Sequence, residues 1–394
     1  MAYGATVFEE TVHKYPDVPR FIILKLDIQR RKLVYTDRLI EHVGHNHPGP
    51  LPPMILRDGT TVLAAPGEGF QDPYTIDYVD GKIGIYDGET FIDETEFQPH
   101  PAFFSKQTSS GMPMWAIAGA RPQRIEILTS RFCQFWKEGL QCKFCFWNTM
   151  FKGRDGSLFK KTPDRQDVIE TVQEALKEEG RFSQFVVTGG ANQHGDEPFD
   201  DEVNQYIYVL QAIGENFSTR RFPSQVISSA FSKKQLKRIY DETGILSYCP
   251  DIEVWDEKLF KWMCPGKEKF IGRDNWIKSM FDAVEIFGEG NVYTNFVAGC
   301  EMVQPQGFKT EDAALKSNLE GCEYLAKQGV AMMGLVWAPS PGTVIQKQKQ
   351  PSLDYYVRLA KGLHDIRATY GLDVHSDDYK HCSNHADSDL CRID

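Results

Sequence analysis

From residue 122 to residue 371 the chain alternates between short apolar runs and stretches where apolar residues recur every three or four positions. The first pattern marks buried strands, the second amphipathic helices. Residues 124–129 read as a first strand. Thr162 and Pro163 open a helix as cap and first residue. Val168, Ile169, Val172, Ala175 and Leu176 form its apolar face, and Gly180 stops it. A second strand over 184–187 ends in Thr188-Gly189-Gly190. A helix around 206–213 leads to a third strand, 225–229. Ser232 caps the next helix and Gly244 stops it. A fourth strand lies within 245–254, Asp274 caps a helix, and a fifth strand spans 291–297. Thr310 opens another helix, a sixth strand runs over 330–337, and a last helix covers 353–370. Strands alternating with helices predict an α/β fold of right-handed βαβ units on one parallel sheet.

Residues 1–121 read differently. Strands are predicted over 21–27, 61–65 and 82–86, broken by Asp-Gly turns at Asp58-Gly59, Asp80-Gly81 and Asp87-Gly88. The segment is a mostly β lead-in or cap. Three histidines there, His45, His47 and His100, sit in or near Pro-rich loops and read as exposed loop residues rather than ligands. Residues 372–394 form a separate polar tail after the last helix.

Composition narrows the class. The chain has 394 residues, 41% hydrophobic and 25% charged, enough for a barrel of about 250 residues with additions. A net charge of −11 argues against general nucleic-acid binding. No apolar run is long enough for a membrane span. The N-terminus lacks the basic and apolar regions of a signal peptide. Nine cysteines, an odd number, point to a reducing compartment rather than a disulfide framework, and hence to the cytoplasm.

Three of those cysteines, Cys133, Cys142 and Cys145, directly follow the first barrel strand with the spacing C-x8-C-x2-C. Thiolates are the usual ligands of iron–sulfur clusters. Three ligands on a four-iron cluster leave one iron open for a substrate or cofactor. A zinc site is the competing reading, but zinc normally takes a fourth ligand and none follows in the loop.

A three-cysteine loop after the first strand of a parallel barrel, with an aromatic (Phe144) just before the last cysteine, resembles the radical S-adenosylmethionine (radical SAM) superfamily. The usual loop there is C-x3-C-x2-C, and here the first gap is widened to eight residues. The resemblance implies a partial (β/α)6 TIM-like barrel with its site at the C-terminal strand ends. It implies a [4Fe-4S] cluster on Cys133, Cys142 and Cys145, with S-adenosyl-L-methionine (SAM) on the open iron. It implies that Thr188, Gly189 and Gly190 lie along the methionine amine, although the acid expected next is Ala191. Ser229 and Glu253 are the implied contacts to ribose and methionine carboxylate, with Asp251 and Asp256 as rivals for the acid. Gly299, in a stretch similar to the family's adenine-side segment, and Trp337 would flank adenine. Trp337 also reads as barrel core.

The reaction so implied is reductive cleavage of SAM to a 5′-deoxyadenosyl radical that takes hydrogen from an unactivated carbon. The electron donor would be a ferredoxin or flavodoxin. The overall shape is similar to biotin-synthase-like members, which points to a small-molecule substrate. Two alternatives remain open. One is sulfur insertion using a second cluster; the other is a zinc-stabilised ligand-binding barrel without redox chemistry. Cys249 and Cys300 lie near strand ends, Cys322 on a helix's apolar face, and Cys264 in a loop before Pro265-Gly266. In the tail, Cys382, His385 and Cys391 suit zinc or an auxiliary iron–sulfur centre; a flexible surface tail is the other reading.

Overall fold

The computed structural model describes residues 3–43, 52–63, 72–152, 156, 160–372 and 383–392. His45, His47 and Cys382 lie outside the described residues.

The N-terminal part holds helices α1 (Tyr3–Lys14) and α2 (Arg20–Arg31) and strands β1 (Leu33–Tyr35), β2 (Met54–Leu56), β3 (Thr61–Val62), β4 (Tyr74–Val79), β5 (Lys82–Asp87) and β6 (Thr90–Phe97). The strands make one six-stranded sheet in the order β1-β4-β5-β6-β2-β3. Val79 pairs with Lys82 across Asp80-Gly81, and both turn residues take positive φ, 52° and 83°. That is the two-residue hairpin turn expected of Asp-Gly. The strand expected over 21–27 is instead the middle of α2. The sequence misleads there because the helix is buried on nearly every side. Ile22, Ile23, Leu24, Leu26 and Ile28 are buried, and so are Lys25 and Asp27, so no polar face marks the helical period.

The rest of the chain builds a seven-stranded sheet. Its strands are β7 (Ala118–Ala120), β8 (Arg124–Ser130), β9 (Gln184–Gly189), β10 (Ser224–Ile227), β11 (Ser247–Cys249), β12 (Val292–Ala298) and β13 (Val330–Val336). They lie side by side in chain order. All neighbours from β8 to β13 are parallel, and β7 adds antiparallel to β8. Between them run α3 (Arg165–Ala175), α4 (Asp200–Gly214), α5 (Lys233–Thr243), α6 (Arg273–Phe287) and α7 (Glu311–Ala326), with α8 (Leu353–Thr369) last. Sequential parallel order with right-handed crossovers puts every helix on one face and curls the sheet into a half-barrel. The register sets one inward layer: Leu128 beside Thr188, Thr188 beside Ile227, Ile227 beside Cys249. Ser232 caps α5 with a full capping box and Thr310 caps α7, as expected. Two starts differ. Asp164, not Thr162, precedes α3, and Gly272, at φ 85°, precedes α6, so Asp274 falls inside its first turn.

The tail closes the open edge of this sheet. On β13 the Gly334 amide donates to Asp387 Oδ1 at 3.2 Å, and Arg367 Nη1 donates to the Met332 carbonyl at 2.6 Å. Arg367 also pairs with Asp387 at 2.6 Å, and Lys25 with Asp389 at 2.6 Å, all fully buried or nearly so. Gln29 Nε2 donates to the carbonyls of Ser383 and Asn384. An exposed strand edge invites pairing by other chains, and here side chains from α8 and the tail take up its groups, while α2 holds the tail. His385 is buried with Nδ1 3.2 Å from the Gly334 carbonyl, and burial pushes its pKa down to about 4. Ser383 through Leu390 is therefore packed structure, not a loose surface segment. No described helix is long and apolar enough to cross a membrane.

Candidate functional site

The cysteine loop leaves β8 at Ser130 and is tied down residue by residue. Arg131 spans it, donating to the carbonyls of Lys160 and Ala116 at 2.6 Å each. Asn148 clamps the peptide groups of Cys133 from both sides, accepting from its amide at 2.9 Å and donating to its carbonyl at 3.2 Å. The Gln134 amide donates to the Ala191 carbonyl at 2.8 Å, which stitches the loop to the end of β9. Of the eight residues between the first two cysteines, Gln134–Glu138 form a 3-10 turn, closed by Gly139 at φ 67°. That turn rests on the segment around Cys264. Lys143 donates to the Met263 carbonyl at 2.9 Å and Gly266 to the Leu140 carbonyl at 3.0 Å. Phe135 stacks on Phe270 with ring centres 5.5 Å apart. A side chain at Gly266 would meet the Phe135 ring at 2.6 Å, so only glycine lets the two segments close.

Cys133, Cys142 and Cys145 are all half-buried and sense one another's charge. The Trp147 amide donates to Cys145 Sγ at 3.4 Å. Burial pushes Cys133 and Cys145 up to about 12, so these thiols hold their protons until a metal displaces them. Cys142 is held down, first by the neighbouring Cys264 thiol and further by the Lys267 ammonium. Among the described residues no three His, Cys, Asp or Glu side chains converge on a point that would hold a single ion. A four-iron cluster takes each thiolate on a different iron, and so suits a wider spread of donors. Buried polar atoms around the loop, Gln134 Oε1, Gln141 Oε1 and Trp136 Nε1, have no partner among the described residues. The donor set fits an iron–sulfur cluster.

The end of β9 lies directly against this loop. The Gly190 amide donates to the Ser130 carbonyl at 2.9 Å. A Cβ at Gly190 would fall 2.5 Å from the Phe132 carbonyl, with the Cys133 amide nitrogen closer still. At Gly189 it would strike the Thr129 hydroxyl and the Ser130 amide. Both glycines are therefore required by the backbone of the cysteine loop itself. The Thr188 carbonyl accepts from Thr129 Oγ1 at 3.3 Å. Phe144 sits in the turn between Cys142 and Cys145, half-buried against the core.

Two buried acids meet this mouth. Glu202, on α4, accepts from the Asn192 amide at 2.7 Å, from the Ser229 amide at 2.9 Å and from Ser229 Oγ at 3.0 Å. Burial pushes its carboxyl up to about 7 against those three donors. It bridges the ends of β9 and β10, and it engages both the amide and the hydroxyl of Ser229. Glu253 follows β11 in the left-handed region, φ 69°, and takes a 2.7 Å salt bridge from Lys267. Burial works against the Lys267 charge, but Glu253 outweighs it and the ammonium stays protonated. Asp251, a rival for that acid, accepts from Asn295 and Cys249, and Asp256 caps a helix by accepting from the Leu259 amide. Sequence reasoning missed Glu202, Lys267 and the placement of Cys264. Glu202 reads as an exposed acid in a helix's first turn, and only the register of β9 against β10 brings it inward.

The last two strand ends are more closed. The space a side chain at Gly299 would need is filled by the Tyr356 hydroxyl and Pro351, and the Gly299 amide donates to Glu301 Oε2 at 2.7 Å. Trp337 is buried, and its amide donates to the Ala298 carbonyl at 3.0 Å. Its indole N–H has no partner among the described residues. In the tail, His385 and Cys391 are described and Cys382 is not. Beside the cysteine loop a cavity of about 530 Å³ opens between Leu128 and Glu126 of β8, Trp147 and Phe151, and residues 98–101 of the N-terminal part.

No family model matches the chain. It is 24% identical over 314 residues to a bacteriochlorophyllide c C-7(1)-hydroxylase of Chlorobaculum limnaeum, covering 76% of this chain and 74% of that one. Among solved structures it is similar to a radical SAM methyltransferase from Sphaerobacter thermophilus, at TM-score 0.44 and 14% identity over 93% of both chains. A methylornithine synthase matches at TM-score 0.42 and 14% identity, over 68% of this chain and 78% of that one. The radical SAM enzyme coproporphyrinogen III oxidase from Escherichia coli matches at 0.38 and 14%, over 66% and 55%. Those scores mark distant likeness, and the reading of the site stands on the loop and the strand ends.

Proposed function

We propose that the chain is a radical SAM enzyme acting on a small molecule, with Cys133, Cys142 and Cys145 holding a [4Fe-4S] cluster. The observation that carries this is the cysteine loop itself: three half-buried thiols at the C-terminal end of the first barrel strand, locked to the end of the second through Gly190 and Ala191. Bound there, the cluster and SAM would supply a reductively generated 5′-deoxyadenosyl radical able to take hydrogen from an unactivated carbon.

The chain's own residues bind, orient and exclude water. Asn148 and Arg131 fix the loop that presents the thiolates. Gly189 and Gly190 would hold the methionine amine of SAM through their backbone. Glu253, steadied by Lys267, and Ser229, steadied by Glu202, would hold the ribose and carboxylate. Phe144, Gly299 and Trp337 complete the cofactor side. The cavity beside β8 would take the substrate, and its volume lies in the ordinary range for small-molecule sites. The hydroxylase relative makes hydroxylation of one carbon of a small molecule the first outcome to assay. A ferredoxin or flavodoxin would deliver the electron, and the net charge of −11 favours neither nucleic acid nor an anionic surface as partner. The tail residues Cys382, His385 and Cys391 would hold zinc or an auxiliary cluster, and a histidine can join such a site through one ring nitrogen while the other bonds a backbone carbonyl, as His385 Nδ1 does with Gly334.

The test is anaerobic turnover with SAM and a strong reductant. 5′-Deoxyadenosine should accumulate, and should be lost when Cys145 is replaced by alanine. A chain loaded with zinc alone, colourless and unable to cleave SAM, would overturn the reading.

A further inference from the structure

Over much of the described surface, lysines stand beside acids, as Lys233 does with Glu285, Lys237 with Asp241 and Lys278 with Asp282. Around the cysteine loop the pattern changes. Lys143, Lys258, Lys347 and Lys349 have no acid within ion-pair reach among the described residues. Three segments far apart in sequence bring them together. Lys143 lies in the loop itself, directly after Cys142. Its ammonium stands over the Trp262 ring at 5.1 Å, and Trp262 is one turn from Lys258 in the short helix Glu257–Met263. The Lys143 carbonyl accepts from the Val344 amide at 3.0 Å, which lays the stretch 339–350 against the loop. A side chain at Gly342 would meet Thr149 at 3.3 Å, a second contact of that stretch with the residues after the cysteines. The stretch carries Lys347 and Lys349, both exposed, and no acid. Among these lysines two apolar side chains are left in water: Phe146, next to Cys145, at 45% exposure and Val344 at 60%.

We propose that this face docks a small acidic electron-carrier protein, with Phe146 and Val344 at the centre of the contact and Lys258, Lys347 and Lys349 on its rim. The inference rests on the cluster reading above. An apolar centre with a charged rim is the anatomy of a protein interface, and the sign of the rim selects the sign of the partner. The chain as a whole, at −11, repels an acidic protein. A local basic rim therefore decides where such a protein lands. The face lies over the loop that carries the thiols, with Lys143, Phe144 and Phe146 interleaved with Cys142 and Cys145. One electron leaves the carrier's reduced flavin or iron–sulfur group and enters the oxidised cluster, with no bond made or broken.

The experiment measures binding of flavodoxin, an acidic carrier, to the reconstituted full-length protein by calorimetry at low and at high salt. Iron is counted on the same samples, and SAM cleavage is followed with flavodoxin or with dithionite as reductant. Flavodoxin should bind at low salt and weaken as salt rises. Lys347→Glu combined with Lys349→Glu should weaken binding by about tenfold or more and slow flavodoxin-driven cleavage to match. Iron content and dithionite-driven cleavage should stay as in the parent. Lys347→Gln with Lys349→Gln should fall between, and Lys237→Glu, on α5, should leave binding as it was. Unchanged binding in the double glutamate variant overturns the inference while leaving the cluster in place, and so does failure of the unaltered chain to bind flavodoxin at low salt. Equal loss of cleavage with both reductants also overturns it, because the lysines would then serve the loop and not a partner. Absence of any cluster from the unaltered chain overturns the reading of the loop, and this inference with it.

Discussion

Two buried polar regions lie at opposite ends of the same sheet logic. At the seam beside β13 the charges are matched one to one: Lys25 with Asp389, Arg367 with Asp387, each at 2.6 Å. At the mouth the balance is different. Glu202 is buried without a cation of its own, held only by amides and a hydroxyl, and Gln134, Gln141 and Trp136 keep unpartnered polar atoms. Buried charge in exact pairs closes a structure. Buried polar groups left over at strand ends are what a bound ligand would satisfy. The seam also keeps unpartnered atoms among the described residues, Gln29 Oε1 and Ser383 Oγ, so it is the unpaired Glu202 carboxyl that sets the mouth apart.

The largest break in that comparison is at the seam. Arg367→Leu leaves Asp387 buried without its cation and removes the cover of the β13 edge, which should cost about 3–5 kcal/mol. A large fall in the denaturant midpoint would register it. A change under 1 kcal/mol would mean the seam is not load-sharing, by the ordinary scale of exposed pairs.

Glu202 comes next. Its folded-state pKa is raised to about 7 from an ordinary value near 4.5. The folded chain therefore keeps this proton over a range where the unfolded chain has lost it. Its contribution is complete below about pH 4.5 and is lost as pH rises toward 7, on the order of 3 kcal/mol. Glu202→Gln, which does not titrate, should remove this fall in stability, leaving its curve flatter than the parent's between pH 5 and 8. Parallel stability curves for the two chains would show that Glu202 is ionised throughout.

Gly190→Val sharpens the comparison from the other side. The new side chain runs into the backbone of Phe132 and Cys133, so a cost of about 1–3 kcal/mol should accompany loss of iron. Iron content is the discriminating readout, since the seam variant should keep it per folded chain. The smallest effect belongs to neither region: Ser232→Ala removes the cap of α5 and should cost about 1 kcal/mol, with iron unchanged.

The sequence made the barrel legible because its strands are short apolar runs between periodic helices, and parallel strands buried on both faces read that way. Caps with a local signal, Ser232 and Thr310, were readable too. What it concealed depends on distant partners. Residues 21–27 look like a strand because Lys25 and Asp27 are buried, and the partner of Lys25 is Asp389. The tail's cysteines and histidines suggested metal, while its aspartates do the visible work, on Arg367, Lys25 and the edge of β13. In the site, the cysteine spacing pointed to the loop, but Cys264 and Glu202 reach it only through the register of strands far apart in sequence.

The central claim is that the three loop cysteines hold a cluster at the mouth. Iron and acid-labile sulfide, counted with Mössbauer spectroscopy on anaerobically purified protein, test it directly. The account predicts a [4Fe-4S] centre in the unaltered chain and none in the variant with Cys133, Cys142 and Cys145 all replaced by alanine. A full cluster surviving in that triple variant would contradict it.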